Sequence, residues 1–205
     1  MTEKDFETLR DTMRSHMGAR RYAHTLGVEK EMRRLSARLA PELLEDAAVA
    51  GLLHDVTKRL STDEQLAYCK ENGLSVEKDE ILAPALLHAK TGAHYAKTHF
   101  PSLVNDGVVD AILRHTTAEP PLSLLGAMLF VADFTEEGRD YPDCIALREL
   151  LYGESLVGNE GMAHFKRVVL KALDVSISEL LEDGRPIALK TVNARNALLA
   201  GDLLF

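Results

Sequence analysis

Apolar positions recur along most of the chain with a helical period, and the breaks between periodic runs fall at glycine and proline. Phe6, Leu9 and Met13 mark a charged first segment that Gly18 ends. Arg20 to Leu39 carries Leu26, Glu29, Met32, Leu35 and Leu39, which predicts a helix with one stripe toward the core. Pro41 opens a run that is apolar on every side from Ala47 to Leu53 and then ends in His54, Asp55 and Lys58. A helix apolar all round is a buried helix. Ser61-Thr62-Asp63-Glu64 reads as a capped start for a helix through Lys70, closed at Asn72-Gly73. A further helix is predicted from about Ile81 through Ala85-Leu86-Leu87-His88 to Phe100-Pro101, with Gly92 inside it. Val104 to Arg114 is periodic, Pro120-Pro121 forces a loop, and Leu124 to Phe134 is a second all-apolar run interrupted only by Asp133. Ile145 to Leu151, Gly161 to Glu182, and Lys190 to Ala200 complete the helices. No alternating run bounded by a hairpin turn stands out, and there is no internal repeat or low-complexity linker. One all-α domain over residues 1–205 is the expectation, with a core at about 16–140 and the helices of about 160–200 packing on it.

Composition narrows the classes of function. The 205 residues are 46% hydrophobic, enough for a sizeable core. A formal net charge of -8 argues against a nucleic-acid backbone as partner, although a bound metal can reverse the sign of a local site. The two cysteines, Cys69 and Cys144, are far apart and form no CxxC, so a reducing cytoplasm is expected. The first fourteen residues are too charged for a signal peptide. The longest apolar run falls short of the roughly 18 residues a membrane span needs.

The candidate chemistry lies where the apolar runs end. Gly51-Leu52-Leu53-His54-Asp55, Ala85-Leu86-Leu87-His88, Ala111-Ile112-Leu113-Arg114-His115 and Phe130-Val131-Ala132-Asp133 each deliver a metal-capable side chain from a buried segment, and His24 adds a fifth segment. Polar groups at such places cost free energy unless paired, and an ion bound by His54 and Asp55 would answer that cost. The mixture of imidazole and carboxylate suits iron, manganese or zinc better than magnesium. Adjacent His54 and Asp55 project about 100° apart on a helix, so they share a site only if the metal sits beside it. The two Asp55 oxygens could bridge two metals, an arrangement suited to phosphoryl transfer. Lys58, one turn on, would neutralise phosphate charge, with Arg21 and Arg139 as further candidates. His16, His94, His99 and His164 sit in mixed surroundings and read as surface residues, with His94 the best placed of them to reach the site. Glu136-Glu137 reads as a solvated loop.

In this order the motifs resemble the HD-domain phosphohydrolase superfamily in its H…HD…H…H…D form. Arg21-Tyr22-Ala23-His24-Thr25-Leu26-Gly27-Val28, Leu52-Leu53-His54-Asp55-Val56-Thr57-Lys58, Leu87-His88-Ala89-Lys90-Thr91-Gly92-Ala93, His115-Thr116-Thr117 and Ala132-Asp133-Phe134-Thr135-Glu136-Glu137-Gly138-Arg139 look like the YqeK-type family, bacterial symmetrical bis(5′-nucleosyl)-tetraphosphate hydrolases. The resemblance implies an HD-domain helical bundle around a binuclear metal site, iron in that family, and cleavage of diadenosine tetraphosphate to two ADP. By motif, His24, His54, Asp55 and Asp133 would hold one metal, and a bridging Asp55 with His88 and His115 the other. Asp55, Lys58 and Arg139 would carry catalysis. Arg21, Thr116, Arg139 and the stretch with Thr191, Asn193 and Asn196 resemble nucleotide-contacting positions, beside the ligands His24, His88 and Asp133. Without the resemblance, Thr191 is an ordinary helix cap.

The chain departs from the family in two places. Ala118 and Glu119 stand where a glycine and a basic residue are usual after His-Thr-Thr. Thr135-Glu136-Glu137-Gly138-Arg139 replaces Ile-Glu-Pro-Gly-Arg, and losing the proline would loosen that loop. The expected partner is a dinucleoside polyphosphate or ADP, with no nucleic acid or membrane, and a homodimer is left open. Two rival readings are another HD phosphohydrolase acting on a mono- or triphosphate, and a non-catalytic nucleotide-binding HD module.

Overall fold

The computed structural model describes residues 2–201. Among them there is no strand, and the order of elements is helical throughout. The first helix, α1 (Glu3–His16), opens with a capping box in which Thr2 and Asp5 exchange hydrogen bonds, and it buries Phe6, Leu9 and Met13. Next, α2 (Ala19–Leu39) begins after Gly18. Glu29 occupies a core-facing position on it, 4% exposed, and is paired with Arg10 at 2.6 Å and Arg33 at 2.9 Å.

A 3-10 turn at Pro41–Leu43 leads into α3 (Leu44–Leu53), whose residues from Ala47 on are all buried. This helix is the centre of the molecule, packed against α2 and α1 and against two later helices, α7 (Asp106–Arg114) and α8 (Leu124–Thr135). Its approach to α2 is close enough that a Cβ on Gly51 would stand 2.9 Å from the Glu29 Cα. Only glycine permits that contact of backbones.

The segment between α3 and α7 holds α4 (Thr62–Glu71), capped by Ser61, then α5 (Lys78–Leu82), a 3-10 turn at Pro84–Leu86, and α6 (Leu87–His99). The sequence pattern predicts one continuous helix from Ile81, and the structure breaks it in three. Pro84 has no N–H to donate and disfavours helical geometry in the residue before it. Ala83 accordingly leaves the helix, at φ -129° and ψ 76°. His88 therefore lies in the first turn of α6, at its N-terminal end and not at the C-terminal end that its apolar run suggests.

The chain closes with α9 (Pro142–Tyr152), α10 (Gly158–Glu182) and α11 (Leu189–Ala200). The long α10 packs on α8, α9 and α11, so one hydrophobic cluster runs from Phe6 to Ala194. His164 on α10, expected at the surface, is fully buried. Its Nε2 lies 3.0 Å from the Leu150 carbonyl at the end of α9, which supplies the partner a buried imidazole needs. Among the described residues no helix is long and apolar enough to cross a membrane.

Candidate metal centre

The ends of the central helices bring six side chains to one place. His54 caps the C-terminus of α3, His115 that of α7, and Asp133 lies two residues before the end of α8. His24 comes from the early part of α2 and His88 from the start of α6. They form two triads, His24–His54–Asp133 and Asp55–His88–His115, with the donor atoms of each within 4.8 Å of one another.

Asp55 joins the triads. Its Oδ2 lies 3.6 Å from His54 Nε2 and 4.0 Å from His24 Nε2, while its Oδ1 lies 3.2 Å from His88 Nε2 and 3.8 Å from His115 Nε2. One carboxylate oxygen thus faces each group, as a bridging ligand requires.

The hydrogen bonds behind the imidazoles say what kind of guest the donors fit. His54 Nδ1 lies 2.7 Å from the Gly51 carbonyl, His115 Nδ1 2.7 Å from the Ile112 carbonyl, and His88 Nδ1 2.5 Å from the Ala85 carbonyl. A carbonyl can only accept, so each Nδ1 carries the proton and each Nε2 turns a lone pair inward. His88 and His115 then oppose two lone pairs at 3.1 Å, beside an acceptor-only carboxylate. His54 Nε2 and Asp55 Oδ1 are buried with no hydrogen-bond partner, and His24 Nε2 lies 3.1 Å from Asp133 Oδ1. Apart from Lys58 Nζ at His88 Nε2 and the Arg21 guanidinium at Asp55 Oδ2, these converging lone pairs meet no donor, and a cation among them removes the repulsion. The set of four imidazoles and two carboxylates fits a pair of iron, manganese or zinc ions.

Electrostatics keep His54, His88, Asp55 and Asp133 in ligand form, and His24 is the exception. Burial pushes both His54 and His88 down to about 4, so they are neutral imidazoles at neutral pH. Burial pushes Asp55 up, but the histidines around it hold its carboxyl well below the usual carboxylate range. Asp133 behaves likewise, held down chiefly by His24. For His24, burial lowers the pKa, but the hydrogen bonds it donates to Asp133 and Glu136 outweigh it and raise it to about 9 without a metal, so it gives up a proton when it becomes a ligand.

Glu136 is the residue beside this cluster that spacing alone misses. Expected in a solvated loop, it is 3% exposed. Its Oε1 lies 3.2 Å from His24 Nδ1 and its Oε2 accepts the Gly138 N–H at 2.7 Å. This is a carboxylate–histidine pair of the kind that orients a metal ligand. The signal was present in the resemblance, which includes a Glu at this position, but two adjacent acidic residues read as solvent-facing. Glu137 does face solvent, paired with Lys30 at 2.7 Å. Where the family's proline is missing, Arg148 of α9 donates to the carbonyls of Thr135, Glu136 and Arg139.

Three cations border the centre. Arg21 donates to Asp55 Oδ2 at 2.5 Å, Arg139 to Asp133 Oδ1 at 2.6 Å, and Lys58 Nζ lies 3.9 Å from Asp55 Oδ1 and 3.0 Å from His88 Nε2. Arg21, His24 and Arg139 line an open cleft of about 880 Å³ together with Arg20 and Tyr141. Thr116 lines a smaller cavity of about 160 Å³ with Lys90, Glu119 and Lys190. Glu119, which departs from the family, is neutralised there by Lys190 at 2.9 Å. Thr191 is buried beside Lys190, whereas Asn193 and Asn196 are exposed on α11, with no hydrogen bond from either to the histidine–carboxylate cluster. His94 bonds Tyr68 at 2.9 Å and takes no part in either triad.

The comparisons with known proteins agree with this geometry. The chain is 29% identical to a Halalkalibacterium halodurans protein named symmetrical bis(5′-nucleosyl)-tetraphosphatase, over 91% of this chain and 93% of that one. A Bacillus subtilis protein of the same name is 23% identical over 88% of this chain and 90% of its own. A crystal structure from Clostridium acetobutylicum, described as a predicted HD superfamily hydrolase involved in NAD metabolism, superposes with a TM-score of 0.83 at 28% identity, covering 96% of this chain and 97% of that one. The HD domain profile matches residues 21–138, the span that supplies all six donors, and the chain belongs to the HD domain family.

Proposed function

We propose that the protein is a metal-dependent phosphohydrolase that cleaves diadenosine tetraphosphate symmetrically, giving two ADP. The observation that carries the hydrolase reading is the pair of triads sharing Asp55, with its inward lone pairs and its orphaned Nε2 and Oδ1 atoms. His24, His54, Asp55 and Asp133 would hold one ion, and Asp55, His88 and His115 the other. Bound there, a metal pair supplies a nucleophile at neutral pH and neutralises charge on the reacting phosphoryl group.

The chain's own side chains do the rest. Arg21, Lys58 and Arg139 lie at the rim, each side chain between about one third and two fifths exposed, where a polyphosphate would run. They stabilise the charge that builds on phosphoryl oxygens as the P–O–P bond breaks toward the leaving ADP. Burial pushes the Lys58 ammonium down, which brings it nearer to giving up a proton than an exposed lysine. The open cleft beside Arg21 and Arg139 has room for a nucleoside end of the substrate. Thr116, with Thr191 beyond Lys190, belongs to a second nucleotide contact in this reading.

The relatives' names support the symmetrical tetraphosphate among HD substrates, and the intact ligand set disfavours a non-catalytic module. Residues 1–205 act as one domain in the cytoplasm in this reading. The test is product analysis with metal-loaded protein. Diadenosine tetraphosphate should yield ADP alone. AMP plus ATP, or faster turnover of nucleoside mono- or triphosphates, would overturn the substrate assignment. Because the Clostridium neighbour is named for NAD metabolism, NAD is the control substrate.

A further inference from the structure

We infer that Arg148, which lies outside the span matched by the HD profile, is a positioning residue for one half of the metal centre, the His24–His54–Asp133 triad. Its guanidinium reaches from α9 across the end of α8. Nε donates to the Thr135 carbonyl at 2.7 Å, and Nη2 donates to the Glu136 carbonyl at 2.6 Å and the Arg139 carbonyl at 2.7 Å. It makes no salt bridge among the described residues. A half-buried cation given wholly to neutral carbonyls is unusual, because an arginine fork normally matches a carboxylate. What it obtains is shape: the chain is folded back on itself between residues 135 and 139, with the Arg139 N–H closing on the Glu136 carbonyl at 3.0 Å. Its charge also suits the negative end of a helix, where carbonyls lack partners.

Both side chains held by this fold-back act on the same triad. Glu136 orients His24 through Nδ1, and Arg139 anchors Asp133 through Nε to the main-chain carbonyl at 2.9 Å and through Nη2 to Oδ1 at 2.6 Å. The other triad has no such dependence. His88 and His115 are steered by carbonyls three residues back in their own segments, and Asp55 sits between them. Loss of Arg148 should therefore weaken one metal position and spare the other. This inference rests on the binuclear reading above.

The test uses full-length protein stripped of metal and titrated with Mn2+, followed by binding stoichiometry and electron paramagnetic resonance. Wild type should take two ions and give the spectrum of a coupled pair. Arg148→Met should take one ion tightly, show the signal of an isolated Mn2+, and bind the second about 10–100-fold more weakly, the usual effect of losing an outer support. Arg148→Lys, which keeps the charge but cannot serve three carbonyls, should fall between. Glu136→Gln added to Arg148→Met should cost less than the two single effects summed, because both act through His24. Two tight ions in Arg148→Met would overturn the inference. So would equal weakening of both ions alongside a lower melting temperature in both Arg148 variants, which marks a merely structural role. Fewer than two ions in wild type would instead refute the binuclear reading itself.

Discussion

Gly27→Ala puts a single methyl where the Glu136 carboxylate now lies. Gly27 is on α2 one turn from His24, and a Cβ there would stand 2.1 Å from Glu136 Oε2 and 2.9 Å from its Cδ. No such contact survives, so the carboxylate must swing away. In doing so it abandons His24 Nδ1 and the Gly138 N–H. Each is a hydrogen bond to a charged group, worth about 1.5–3 kcal/mol. Against that loss of about 3–6 kcal/mol, alanine in a helix interior gains about 1 kcal/mol over glycine. The net is about 2–5 kcal/mol of destabilisation, or a fall in melting temperature of roughly 4–20 °C for a chain of this size. With His24 no longer steered, metal affinity and turnover should drop about 10–100-fold. Calorimetry of the metal-free variant, with metal content after loading and kcat, measures all three. A variant as stable as wild type, or more so, with full metal and full turnover would refute the reasoning, because propensity would then be the only effect left. Gly51→Ala is the contrasting control. Its methyl meets the Glu29 backbone, not a side chain that can rotate, so stability should fall by separating α2 from α3.

Asp55→Ala removes both carboxylate oxygens, one facing each triad, so turnover should vanish and metal content fall below one ion per chain, with the helical circular dichroism kept; full activity would refute the bridging role. The pH dependence follows from His54 and His88, whose folded values near 4 lie below the ordinary 6.5, so the unfolded chain binds protons that the folded chain refuses. The stability these two groups give the metal-free protein should therefore be complete above about pH 6.5 and fall as pH drops toward 4, by a few kcal/mol in all, with metal release over the same window, whereas His24, raised to about 9, gives stability that is lost as pH rises from about 6.5 toward 9; denaturant melts from pH 6.5 to 4.5 with no slope would contradict the acid limb. Ala118 has a φ of 52° and is fully buried, so Ala118→Gly relieves a left-handed conformation costing about 1–2 kcal/mol while forfeiting a buried methyl and some chain entropy worth about as much. Its melting temperature should stay within a few degrees of wild type, and a large loss would show that the methyl matters more than the strain.

The elements were legible where period and caps agreed. The apolar run to Leu53, the Ser61 cap and the Asn72-Gly73 stop all appear where the residues put them. Pro84 was legible too, as a helix breaker, but the strong apolar run around it masked the break. The convergence of the four histidines and two aspartates could be read because each lies beside a buried segment, and buried polar groups need a reason. Glu136 and Arg148 could not be read from spacing. One is half of an acidic pair whose other member faces water, and the other binds carbonyls, which leave no trace in side-chain identity.

Three of the four imidazoles take their orientation from a carbonyl three residues earlier, so their aim is set by local chain geometry and travels with the segment that bears them. His24 alone is aimed by a residue 112 positions away in sequence, across a gap between separate helices. Small shifts of one helix against another thus leave most of the coordination sphere intact and fall on a single spoke. Under heat, crowding or mutation, the ion nearest that spoke should be the first to go and the last to return.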